Sequence, residues 1–107
     1  MKPYPWLTTL LLLGCALPVQ AENLPVARQQ ELTRFVRQEC GFCHGLRLTG
    51  GLGSSLTAEA LKDKPAETLI ATIRYGRTGT AMPGWAPYLS EADTEWIVDA
   101  LLKGFPE

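Results

Sequence analysis

Between about Leu24 and Cys40, apolar side chains at Leu32, Phe35 and Val36 recur at helical spacing. Arg28, Gln29, Glu31, Arg34 and Arg37 cover the remaining faces, so the spacing predicts an amphipathic helix that runs directly into Cys40. A second helix fits "PAETLIATIRY", with Pro65 in its first turn, Leu69, Ile70 and Ile73 inward, and Gly76 as terminator. The last helix starts at Ser90, an N-cap with Asp93 three residues on, a capping box that uses Asp where Glu is usual. Trp96, Ile97, Ala100 and Leu101 form its expected buried stripe, and Gly104 and Pro106 end it. Thr57 can cap a short turn over residues 58–61.

Two stretches break this periodicity. "GLRLTGGLGSSL" and "GRTGTAMPGWAPY" are punctuated by glycine and proline and read as loops. No segment alternates as a strand would. The chain is predicted all-α, with three main helices and long loops, and without internal repeats. Loops of that length in a small domain are usually functional, and three helices cannot close a full core around themselves. Something apolar and sizeable is expected in the middle.

The N-terminus changes the size of the problem. Lys2 precedes an apolar run from Trp6 to Leu17, shorter than the roughly 20 residues a permanent span requires. Val19-Gln20-Ala21 then offers residues that suit a signal peptidase. Residues 1–21 are expected to be a secretory signal, and 22–107 a single exported domain in the periplasm. Leu12-Leu13-Gly14-Cys15 supports a second reading, a lipobox in which Cys15 becomes a lipidated anchor. Removing 21 of 107 residues leaves 86, and loss of Lys2 leaves nine basic against eleven acidic residues. That weak negative balance argues against nucleic acid and against an anionic membrane surface as partner. A domain this short usually needs a staple beyond its apolar core.

"QECGFCHG" supplies the candidate. Cys40-Gly41-Phe42-Cys43-His44 is the C-x-x-C-H pattern of c-type haem attachment. Two thiols three apart at a helix end can add to the two vinyl groups of one porphyrin, and the next residue presents its imidazole to the iron. Zinc would need a fourth ligand, and His44 is the chain's one histidine. A thioredoxin-like pair would want a βαβ context, and a plain disulfide would leave the histidine unused. One covalently attached haem c is the expected cofactor.

Besides Met1 the chain has one methionine, Met82, thirty-eight residues after His44. Pro83 holds Met82 to extended backbone, a sensible way to present a thioether to iron; the plain alternative is a methionine filling a core gap. Iron carrying both His44 and Met82 suits electron transfer better than oxygen chemistry. Leu52, Leu56, Phe35 and Ile73 are expected to line the haem pocket.

The order helix, CxxCH, loop, helix, MP loop, helix resembles a class I cytochrome c over the whole region 22–107. Within that superfamily, "CGFCHGLRLTGGLGSSLT" and "AMPGWAPYLSEADTEWIVDALL" resemble the cytochromes c-55x encoded beside the cd1-type nitrite reductase of denitrifying bacteria. The resemblance implies a small monomeric electron carrier rather than an enzyme, with Cys40 and Cys43 as haem thioethers and His44 and Met82 as iron ligands. Its implied partner is that nitrite reductase, as acceptor of its electrons. Two alternatives are a helper in haem d1 maturation and a gas-binding haem sensor. Phe35 and Trp96 match the positions where the first and last helices of such cytochromes cross. Ser54 stands where the family commonly has the proline whose carbonyl accepts the proximal imidazole N–H, which puts that bond in question. Arg47, Arg77, Trp85 and Tyr88 are candidates to hold the haem propionates.

Overall fold

A computed structural model describes Gly14 and Leu24–Pro106. Apart from Gly14, the expected signal lies outside these residues, as do the lipobox cysteine and Glu22. Among the described residues five α-helices run in the order α1 (Val26–Phe35), α2 (Gly41–His44), α3 (Ala58–Leu61), α4 (Ala66–Tyr75) and α5 (Glu91–Lys103). No strand occurs among the described residues, so the all-α expectation holds.

The first helix does not stop before the cysteines. Residues Val36–Cys40 form one wide turn that joins α1 to α2 without a break. In it the amide of Gly41 reaches back to the Val36 carbonyl, five residues away instead of four. Such a turn absorbs one extra residue and is common at functional sites. Leu32 and Val36 face inward from this continuous rod and are fully buried.

Each remaining helix starts where the sequence supplies a cap. The Thr57 hydroxyl accepts from the Ala60 amide at the head of α3. Pro65 stands just outside α4, as its N-cap rather than in its first turn. At α5 the Ser90 hydroxyl accepts from the Asp93 amide, and the Asp93 carboxylate accepts from the Ser90 amide, so two otherwise unpaired donors are satisfied. Asp93 also takes a fork from α1. Arg28 Nε and Nη2 donate to its two oxygens at 3.0 and 2.6 Å. One carboxylate, nearly buried, thus fastens the first helix to the start of the last.

Ile97, Val98 and Leu101 of α5 join Leu32, Val36, Leu48, Leu61 and Leu89 in the buried core. The stripe differs from the expected one. Asp93 and Thr94 are buried with it, whereas Trp96 and Ala100 stay half-buried. Trp96 stacks edge-on to Phe105 and Phe35 edge-on to Trp85, at centroid distances of 6.3 and 5.2 Å. The two aromatic residues expected at the helix crossing both pack on the core, each with a further ring beside it. Helix α4 buries none of its side chains completely; Leu69, Ile70 and Ile73 remain half-buried.

Candidate haem-binding site

The wide turn delivers Cys40, and the single turn of α2 carries Cys43 and His44. Both thiols are free and half-buried. Burial, helped by the charge of Glu39, pushes the Cys40 thiol up to about 11. A redox-active dithiol has its nucleophilic cysteine shifted the opposite way. Nor do three or more His, Cys, Asp or Glu side chains gather to hold a metal ion among the described residues.

His44 is held by the chain that follows it. Its Nδ1 lies 2.7 Å from the Ser54 carbonyl. A carbonyl can only accept, so Nδ1 carries a proton, and in the neutral ring Nε2 is the nitrogen whose lone pair is left for a metal. The expected departure at Ser54 has therefore not cost the bond. Its carbonyl is placed by backbone lacing instead of by proline. The Gly53 amide donates to the Cys43 carbonyl at 2.7 Å, and the Gly50 amide to the His44 carbonyl at 2.9 Å. Gly53 lies flat against the imidazole. A Cβ there would sit 2.8 Å from both Nδ1 and Cε1, closer than real atoms approach, so glycine is part of the fit.

Met82 belongs to a separate segment, residues 76–90, laced to the end of α4. The Trp85 amide donates to the Ile73 carbonyl at 2.9 Å and the Ala86 amide to the Arg74 carbonyl at 3.1 Å. Gly76, with φ +73°, ends α4; a Cβ there would meet the Met82 carbonyl oxygen at 2.6 Å. Met82 itself is half-buried. The structure brings Cys40, Cys43 and His44 together on one helix end, and it sets the Met82 segment against α1 through the Phe35–Trp85 ring contact. A cleft of about 410 Å³ lies beside that ring contact, lined by Phe35, Glu39, Pro83, Gly84, Trp85 and Tyr88, with none of Cys40, Cys43, His44 and Met82 in its lining. Glu39 adjoins Cys40, and Pro83 adjoins Met82.

Other expected lining is differently placed. Phe35, Leu56 and Ile73 pack on the core, but Leu52 is 91% exposed, because the glycines around it hold its backbone against α2. Arg47 lines a second cleft of about 610 Å³ with Arg37, Leu56 and Phe105. Arg77 and Tyr88 are exposed, and Trp85 is half-buried between the rings of Phe35 and Tyr88. The sequence singled out the Gly53-Ser54 pair, but the close approach of Gly53 to the imidazole emerges only from the structure.

The family model of the cbb3-type cytochrome c oxidase subunit III matches residues 27–99. A cytochrome c55X of Pseudomonas aeruginosa is 53% identical over 92% of this chain and 84% of its own length. The chain is a class I c-type cytochrome of the c55X group. Among solved structures, the c-type cytochrome NirC aligns with a TM-score of 0.73 and 52% identity, over 75% of this chain and 94% of that one. A third relative is much longer. The dihydro-heme d1 dehydrogenase of P. aeruginosa is 34% identical over 89% of this cytochrome, which spans only 19% of that enzyme.

Haem c is the cofactor of this family, and the residues present fit it. The decisive observation is the His44 ring, whose Nδ1–H is committed to Ser54 and whose Nε2 is left available. Two free thiols precede it at the spacing that thioether attachment demands.

Proposed function

We propose that this cytochrome is an exported one-electron carrier holding a single haem c, with Cys40 and Cys43 as thioether anchors and His44 and Met82 as the axial ligands. The observation that carries the reading is the Ser54–His44 bond, which fixes the tautomer needed for a proximal ligand. Haem c, when bound, supplies a ferric–ferrous couple at a potential raised by thioether ligation. The protein's own contribution is to orient His44 and to strap the Met82 segment to α4. Half-buried apolar side chains such as Phe35, Leu69 and Ile73 offer area to an apolar macrocycle. Export to the periplasm, with a start at Glu22 or a lipidated Cys15, belongs to this reading. Among the described residues no helix is long and apolar enough to cross a membrane.

The partner we assign is the cd1-type nitrite reductase, as acceptor of the electron. A second reading has its own support. The likeness to part of a dihydro-heme d1 dehydrogenase suits a role in haem d1 maturation, where an oxidation releases electrons that a carrier could accept. One experiment separates the two. In a strain lacking this protein, the reductase is isolated, its haem d1 content measured, and its turnover assayed with an artificial donor. Full haem d1 content and full turnover, with nitrite respiration impaired, support the donor role. Reductase deficient in haem d1 supports maturation and defeats the donor role.

A further inference from the structure

Arg74 occupies the last turn of α4. Its backbone and its side chain grip the same stretch of chain at two points. The Arg74 carbonyl accepts from the Ala86 amide, and a Cβ on Gly84 would come within 2.8 Å of that carbonyl oxygen. Its Nη1 reaches across to the Leu89 carbonyl at 3.0 Å and to the Thr94 hydroxyl oxygen at 3.4 Å. Thr94 is fully buried, and its own proton goes to the Ser90 carbonyl at 2.9 Å, so its oxygen faces the guanidinium as an acceptor. The segment from Gly84 to Leu89 is thus bracketed by one residue. That segment connects Met82 to α5.

The arrangement is not what stability alone would select. Arg74 Nε is buried without a hydrogen-bond partner, a costly condition for a charged donor. The cation also stands beside the first turn of α5, where the helix dipole repels positive charge. Asp93, the buried acid of that turn, is already committed to Arg28. Costs of this kind persist where a position must be held. We infer that Arg74 is a positioning residue that fixes the Met82 segment, and through it the thioether, at the distance and angle iron ligation requires. The inference rests on the proposed role of Met82 and adds the residue that holds it there.

The test uses the haem-loaded protein. The ferric form is followed by its near-infrared sulfur-to-iron band during warming, the ferrous form by its rate of carbon monoxide binding, and the helices by far-ultraviolet circular dichroism. In Arg74→Gln the band is expected to fade well below helix melting, and carbon monoxide to bind about tenfold faster, as when one hydrogen bond from a charged donor is lost. Arg74→Lys should fall between, because an ammonium reaches the Leu89 carbonyl without bracketing both acceptors. Arg34→Gln, which removes an exposed charge on α1, should change neither reading. Should Arg74→Gln fold poorly, Arg74→Lys and Thr94→Val carry the comparison, with smaller shifts in the same direction. If the band in these variants survives until the helices melt, with carbon monoxide binding at the wild-type rate, Arg74 is only a packing residue and the inference is overturned. Wild-type protein without the band would defeat the Met82 assignment first, and the inference would fall with it.

Discussion

The two sides of the site are held by different means. On the His44 side, ten residues of contiguous chain do everything. The loop after α2 folds back on it, two backbone amides lock the register, Gly53 presses on the ring, and the Ser54 carbonyl fixes the proton. On the Met82 side the grip comes from elsewhere. The segment hangs from the end of α4, meets α1 through the Phe35–Trp85 ring contact, and is bracketed by Arg74. The first side is local to the CxxCH motif and the loop after it; the second depends on two separate helices, α1 and α4, staying with it. The ligation proposed for Met82 is accordingly the part of the site that should yield first to heat, mutation or a competing ligand.

The largest expected effect lies on the local side. Cys40→Ser combined with Cys43→Ser should abolish covalent haem, seen as full release of pigment by acid–acetone, and should leave little folded protein. Wild-type haem should resist that extraction; complete release would contradict the thioether assignment. Next comes Met82. Met82→Ala should lower the reduction potential by on the order of 0.2 V, a fraction of the roughly 0.8 V that axial ligands command. It should also abolish the sulfur-to-iron band and admit carbon monoxide, whereas Met82→His should keep six ligands yet still lower the potential. Wild-type protein that binds carbon monoxide at once and lacks the band would return Met82 to the core and favour a gas sensor.

Gly53→Ala separates the two sides more finely. The added methyl group would collide with the imidazole, so the ring must tilt and lengthen its bond to Ser54, at a cost of about 1–3 kcal/mol. The expected result is lower thermal stability and a changed potential, with the sulfur-to-iron band retained. Loss of the band at this position would mean that the two sides are not independent.

Asp93→Asn should have the smallest effect on the site and a clear one on the fold, about 1–2 kcal/mol by thermal or urea unfolding. The Arg28 guanidinium, with help from the Ser90 amide and hydroxyl, holds the Asp93 carboxyl below the usual carboxylate range, against the upward push of burial. A carboxylate depressed in the folded state stabilises it above the unfolded pKa, and that stability is lost as pH falls through the folded value. Wild-type protein should therefore weaken on acidification below about pH 4, and the variant should show a flatter acid limb. Arg28 is shifted upward by the same carboxylate and stays charged throughout this range. Identical acid limbs would mean that the fork contributes nothing.

Local features were legible in the sequence, and features made by distant contact were not. The CxxCH motif, the Thr57 cap and the Ser90–Asp93 box each lie within five residues, so side-chain chemistry alone declares them. Asp93 was readable as a cap but not as the anchor for Arg28, sixty-five residues away. Trp96 fits the helical period, yet Asp93, Thr94 and Val98 are the residues buried beside Ile97 and Leu101, and Asp93 is met there by Arg28 from a helix far away in sequence. Leu48 was unreadable for another reason. It adopts φ +60° while almost fully buried, a conformation leucine resists, tolerated here because its carbonyl accepts from the Leu56 amide and its side chain fills the core. Backbone compromises of that kind leave no mark in residue type.

The wide turn at Val36–Cys40 sets the gearing between core and site. Counted at about 100° per residue, Cys43 follows Leu32 by eleven steps and would share its azimuth on an unbroken α-helix. With one residue absorbed in the turn, that azimuth passes to His44 instead. His44 then stands in line with the buried leucine ridge, with Cys40 four residues before it on nearly the same face and packed on the core, while Cys43 is swung about 100° to the side. The helix thus transmits the orientation of the core to the ligand like a shaft with a keyed coupling. An insertion beside the turn should misalign the imidazole, whereas a deletion within it would only straighten the coupling.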